Sequence, residues 1–174
     1  LMNMGQRGPS RAIILAAGMG SRLVAEEAFP KPLMPVAGVP LLVRVLRNLQ
    51  MEGIREAVII TGYRGEQIEQ RLLAEPSLVL RLRFVRNHDY QLKNGVSLLK
   101  AARYVDRECI LSMADHLYSP ELVRRIRQFS LPEGHCVLGV DYDVDRCFGI
   151  DDATKVRVSG GRIVDLDTSL EQID

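Results

Sequence analysis

Arg11-Ala12-Ile13-Ile14-Leu15-Ala16-Ala17-Gly18 is the stretch on which the fold turns. It is apolar without alternation from Ala12 to Ala17 and stops at a glycine, the pattern of a short strand buried on both faces of a parallel sheet. Parallel strands need crossovers, so helical patterns are expected to alternate with further strands downstream.

They do. Beyond a loop containing Pro30, Pro32 and Pro35, the stretch Pro40 to Glu52 carries Leu42, Val45, Leu46 and Leu49 at helical spacing, and Gly53 closes it. Ala57 to Thr61 reads as strand, Gly65 to Leu73 as helix, Val79 to Val85 as strand, Gly95 to Tyr104 as helix and Cys109 to Met113 as strand. Ser119 and Pro120 have the form of an N-cap and first-turn proline for a helix through Gln128, followed by a strand at Cys136 to Val140. Gly160-Gly161 between Lys155–Val158 and Arg162–Leu166 predicts a hairpin. The fold class is therefore α/β: a doubly wound, mostly parallel sheet with a late β-hairpin. Residues 1–10 read as a flexible tail and residues 11–174 as one domain.

Composition narrows the function. At 174 residues and 47% hydrophobic content the chain can close a sizeable core. Its 23 Lys and Arg balance 22 Asp and Glu, which removes any general electrostatic reason for a nucleic-acid or membrane partner. An anionic ligand must then be held by local charge. Cys109, Cys136 and Cys147 have neither an even count nor zinc-site spacing, so they read as reduced thiols. No apolar run has the roughly 18 residues of a membrane span, and a cytoplasmic location is expected.

The chemistry is concentrated at three places. Leu15-Ala16-Ala17-Gly18-Met19-Gly20-Ser21-Arg22-Leu23, with Pro30-Lys31-Pro32-Leu33 beyond it, puts glycines directly after a buried strand and two cations close behind. Glycines there let backbone N–H groups approach a phosphate chain, and Arg22 and Lys31 add positive charge. No Gly-Lys-Ser/Thr follows, which excludes a Walker loop, and a third glycine of the dinucleotide fingerprint is missing. Taken alone, Gly18 and Gly20 also fit an ordinary turn flanked by solvated charges. At the second place, Leu111-Ser112-Met113-Ala114-Asp115-His116 ends an apolar strand in an aspartate, at the sheet edge where α/β folds bind ligands. Asp115 is a candidate Mg²⁺ ligand or a loop cap, and His116 either turns into the site or makes local hydrogen bonds. At the third, Asn94-Gly95-Val96-Ser97 opens a helix, with Asn94 as its N-cap, a ligand contact or both.

The first segment resembles the signature of the nucleotidyltransferases that make nucleoside-diphosphate sugars and alcohols, a Leu-x-x-Gly-x-Gly-x-Arg-Leu loop followed by Pro-Lys-x-Leu. Asn-Gly-x-Ser, Met-Ala-Asp-His and Asp152-Ala153-Thr154-Lys155-Val156 resemble the inositol-1-phosphate cytidylyltransferase branch, from Arg11 onward. The resemblance implies a nucleotide-diphospho-sugar transferase-like fold and Mg²⁺-dependent transfer of CMP from CTP to inositol 1-phosphate or a similar phosphorylated alcohol. It also implies, further downstream, a membrane-embedded synthase in many members. By the same likeness Leu15, Ala16, Ala17, Gly18 and Gly20 line the nucleotide, Arg22 and Lys31 are catalytic, Asn94, Gly95 and Ser97 lie near cytosine and ribose, and Lys155 holds the acceptor phosphate. Members continue through Ile-Asp-Thr-Gly, whose aspartate is a second metal ligand. Here the chain stops at Ile173-Asp174: either the domain lacks its C-terminal part, or Asp174 sits at that ligand position after a shortened loop. Other acceptors (choline phosphate, a hexose 1-phosphate) and a nucleotide-binding module without turnover stay open.

Overall fold

A computed structural model describes residues 8–19, 29–147, 149–151 and 153–170. The chain forms two compact units, Leu1–His135 and Cys136–Asp174.

In the first unit β1 (Arg11–Ala16) sits inside a four-stranded parallel sheet. β4 (Glu56–Thr61) lies on one side of it, with β5 (Arg81–Arg86) beyond, and β6 (Ile110–Met113) on the other, giving the order β5-β4-β1-β6. Arg11 is in register with Glu56, and Leu15 with both Ile60 and Met113. The chain therefore winds outward from β1 to β5 and then crosses back to β6. The border between β1 and β6 is thus a switch point, and the carboxyl edge at such a point is where open α/β sheets bind ligands.

The uninterrupted hydrophobicity of β1 is explained by the layers on both faces. Ala12, Ile14 and Ala16 pack with Leu42, Val45, Leu46 and Leu49 of α1 (Leu41–Met51), Ile68 and Leu72 of α2 (Gly65–Leu73) and Val123 of α4 (Pro120–Gln128). Ile13, Leu15, Val58 and Ile60 face the other way, against Ala101 and Leu98 at the end of α3 (Asn94–Lys100). Each fully buried branched side chain contributes roughly 1.5–3 kcal/mol of burial free energy.

α1 ends as Gly53 implies. With φ 86°, it sends its N–H to the Gln50 carbonyl while the Ile54 N–H reaches back to the Leu49 carbonyl, so both acceptors in the last turn are used. α4 begins with Pro120, and the Ser119 hydroxyl accepts from the Leu122 N–H. The expected helix from Gly95 to Tyr104 is shorter: α3 stops at Lys100, and a 3-10 turn covers Ala102–Tyr104. The sequence reading also misplaced its cap. Lys93, with ψ 157°, takes the N-cap position, and Asn94 is already the first helical residue. Missed altogether was the short antiparallel pair of β2 (Pro35–Val36) and β3 (Val39–Pro40), turned by Ala37 and Gly38 at positive φ.

In the second unit β7 (Lys155–Ser159) and β8 (Arg162–Asp167) form the expected hairpin, with Gly160 and Gly161 at φ 55° and 75°. The strand expected at Cys136 to Val140 is not formed. Apolar composition does not make a strand without a neighbour to bond, and these residues pair with no strand among the described residues.

Candidate functional site

The site is best followed from the switch point. β1 delivers Ala16, Ala17 and Gly18 to the carboxyl edge, and the Ala114 N–H bonds to the Leu15 carbonyl, which sets Asp115 beside the β1 exit. Lys31 arrives from a rigid segment in which Pro30, Pro32 and Leu33 are buried and only the lysine between them reaches outward. Its Nζ donates to Asp115 Oδ2 at 2.5 Å. His116 Nδ1 donates to the other oxygen, Oδ1, at 2.9 Å. Both oxygens of Asp115 are thereby engaged on donors. The His116 hydrogen bond first, and the Lys31 contact after it, hold the carboxyl far below the ordinary carboxylate range; the carboxylate in turn raises the His116 pKa.

The loop carrying Asp115 is anchored by residues outside the sequence motifs. Asn48 of α1 donates to the Tyr118 carbonyl at 2.6 Å, and the Tyr118 and Ser112 hydroxyls share a hydrogen bond at 2.9 Å. Burial pushes the Tyr118 phenol up. On the far side of β1, Gly62 follows β4 in a gap with no room for a side chain. A Cβ there would lie 2.6 Å from that of Tyr90 and 2.7 Å from the Ala17 carbonyl oxygen. The loop after β5 is thus pressed onto the β1 exit. Its other anchor is Asn87, fully buried, whose N–H bonds to Thr61 and whose side chain accepts from the Asp89 N–H and donates to Ser97 Oγ at 3.0 Å. Asn48, Tyr118, Gly62 and Asn87 carry no signal in the sequence, because each acts through a partner distant in the chain or through space it leaves empty.

Lys31, Asp115 and His116 meet at the carboxyl edge of the sheet, where β1 ends at Ala16 and runs on into Ala17 and Gly18. Gly18 and Gly95 have no positive φ, and among the described residues no atom beyond their own chain neighbours and helix backbone lies within 4 Å of where a Cβ would project. A missing Cβ at these positions allows close approach of a ligand. Ser97 is buried, with its hydroxyl on Asn87. Lys155 lies in the second unit, where its Nζ donates to the Thr168 carbonyl at 2.7 Å. Gly20, Arg22, Asp152 and Asp174 lie outside the described residues.

A divalent metal fits the donor chemistry at Asp115, whose carboxylate supplies hard oxygens at a partly open position. No cluster of three metal-ligating side chains occurs among the described residues. No helix among the described residues is long and apolar enough to cross a membrane.

Sheet order, switch point and carboxylate define an α/β domain of the nucleotide-diphospho-sugar transferase type. Residues 12–148 match the MobA-like NTP transferase domain, and the chain belongs to that family. It is 40% identical over 166 residues to a protein of Rubrobacter xylanophilus named bifunctional IPC transferase and DIPP synthase, covering 94% of this chain and 36% of that one. It is 33% identical to the CMP-5'-(3-aminopropyl)phosphonate synthase of Streptomyces rubellomurinus, over 74% of this chain and 20% of the relative. Among solved structures, the inositol-1-phosphate CTP transferase from T. maritima superposes with a TM-score of 0.80 at 28% identity, covering 97% of this chain and 67% of that one. The chain spans about a third of the length of the Rubrobacter relative.

Proposed function

We propose that this chain is a cytidylyltransferase domain that transfers CMP from CTP to inositol 1-phosphate, with Mg²⁺, and releases pyrophosphate. The observation that carries the reading is the convergence of Gly18, Lys31 and Asp115 at the β1–β6 switch point. Relatives named for CTP or CMP chemistry support the choice of base.

An acceptor phosphate oxygen attacks the α-phosphorus, a P–O bond forms, and the bond to the β-phosphate oxygen breaks with pyrophosphate leaving. No protein nucleophile is needed, because positioning and charge stabilisation supply most of the catalysis in such transfers. Ala16, Ala17, Gly18 and Gly20 admit the triphosphate, with Leu15 as their buried support. Lys31 spans the α-phosphate and the acceptor phosphate, and Arg22 neutralises departing pyrophosphate. Asn94 and Gly95 lie toward base and ribose, and Ser97 acts there through its bond to Asn87. Lys155 is the residue read as holding the acceptor phosphate. Asp115, joined by Asp174, would hold Mg²⁺, which when bound neutralises phosphate charge. The domain is read as cytoplasmic, with a membrane synthase as its downstream partner.

A phosphonate acceptor is the second reading, favoured by the aminopropylphosphonate relative. Pyrophosphate release with Mg²⁺ separates the two, with CTP, UTP, dTTP, ATP and GTP set against inositol 1-phosphate, phosphocholine, glucose 1-phosphate and 2-aminoethylphosphonate. Release confined to CTP and inositol 1-phosphate is expected. Release with the phosphonate alone exchanges the acceptor, and nucleotide binding without release in any pair identifies a binding module instead.

A further inference from the structure

The ion pair at the carboxyl edge poses a problem for the reaction just described. Lys31 is wanted on phosphate and Asp115 on a cation, yet each is spent on the other. Both oxygens of Asp115 already accept, Oδ2 from Lys31 and Oδ1 from His116. The pair is neither deeply buried nor free in solvent, with 36% of the lysine and 26% of the aspartate side chain exposed, so it can be broken at modest cost.

We propose that Lys31 is the resident counter-ion of Asp115 and is exchanged for the divalent cation, so that loading metal on Asp115 and freeing Lys31 for phosphate are one event. A divalent ion and an ammonium repel each other across a shared carboxylate. Lys31 is therefore displaced from Asp115 as the metal arrives. Leu33 and the flanking prolines keep the lysine backbone fixed, so only the four-carbon stem swings, from Asp115 toward the phosphates beside Gly18. It follows that metal and nucleotide load before the acceptor phosphate meets a lysine able to receive it. The inference rests on the transferase reading for the role of Lys31, though not for the exchange itself.

The test needs no turnover. Binding of Mn²⁺ alone is followed by water-proton relaxation in the wild type, Lys31→Met, Lys31→Gln, Asp115→Asn and the Lys31→Met/Asp115→Asn double variant. Both lysine variants are expected to bind Mn²⁺ about threefold more tightly or better, the factor that loss of a partly exposed competing ion pair allows. Asp115→Asn should abolish that gain in the double variant. Unchanged or weaker Mn²⁺ binding in both lysine variants overturns the exchange, as does a gain that survives Asp115→Asn. Pyrophosphate release by the wild type is read separately. Its absence with tightened Mn²⁺ binding removes the transferase reading and leaves the exchange, whereas its presence without tightening does the reverse.

Discussion

Ile110–Met113 and Cys136–Val140 make an instructive pair. As sequence they are close to interchangeable, short apolar runs of residues that favour strands. The first is β6, bonded in register along Ala12 to Leu15, with Ile110 and Ser112 buried. The second forms no strand, and Cys136 and Leu138 are exposed. The contrast extends to the units that contain them. Every buried hydrophobic side chain among the described residues lies between Ala12 and Val123, whereas no described residue from Cys136 onward is buried. A strand is a cooperative property of two or more segments, and a hairpin alone is marginal in water.

Substitution should make that difference measurable. Leu46→Ala empties a fully buried site among β1, α1 and α4 and is expected to cost on the order of 4 kcal/mol in urea unfolding. Leu166→Ala, on the exposed β8, should stay within about 0.5 kcal/mol. Comparable losses at the two positions would mean that the second unit shares the stability of the first.

Within the first unit, Lys31→Ala should lower kcat by about 10²- to 10³-fold in the pyrophosphate assay, the scale for losing one preorganised charge donor. The melting temperature should hardly move, because the lysine side chain is partly exposed and outside the core. Wild-type turnover would remove Lys31 from the mechanism.

Gly62→Ala tests the joint between the two halves of the edge. Its methyl must push back Tyr90 or the Ala17 carbonyl, a cost of roughly 1–3 kcal/mol for overpacking. KM for nucleotide should rise more than kcat falls, since the strain displaces the β1 exit and leaves Lys31 and Asp115 in place. Equal changes in both would place Gly62 in general stability alone.

A further effect concerns acid. Glu75 accepts from Ser77 and from Arg71 and Arg47, linking α1, α2 and the loop before β5, and these contacts, Ser77 foremost, hold its pKa at about 2. A depressed folded-state pKa adds stability that is complete above the ordinary value near 4.5 and is lost as pH falls from there toward about 2. Glu75→Gln should therefore cost on the order of 1–2 kcal/mol at pH 7 and progressively less below pH 4. A difference independent of pH would show that shape, and not charge, holds the loop.

Much of the fold was legible because its signals are local. The continuous apolar run of β1, the helical spacing in α1 with its closing Gly53, the Ser119-Pro120 start and the Gly160-Gly161 turn all depend on neighbours within a few residues. Lys31 and Asp115 were legible as chemistry for the same reason, a cation and a carboxylate each at the end of an interpretable segment. That they touch, 84 residues apart, was not.

The alternation of β1, β4, β5 and β6 with helices, the parallel class of that sheet and the candidate cation and carboxylate were determined by sequence alone, since side-chain period is written residue by residue. Only the tertiary structure decided that Cys136–Val140 has no strand to join, that Ser97 is turned onto Asn87, that Gly62 is a gap filled by Tyr90, and that Lys31 rests on Asp115. Each of these is a relation between distant segments, settled by which surfaces meet and by the free energy of the whole packing.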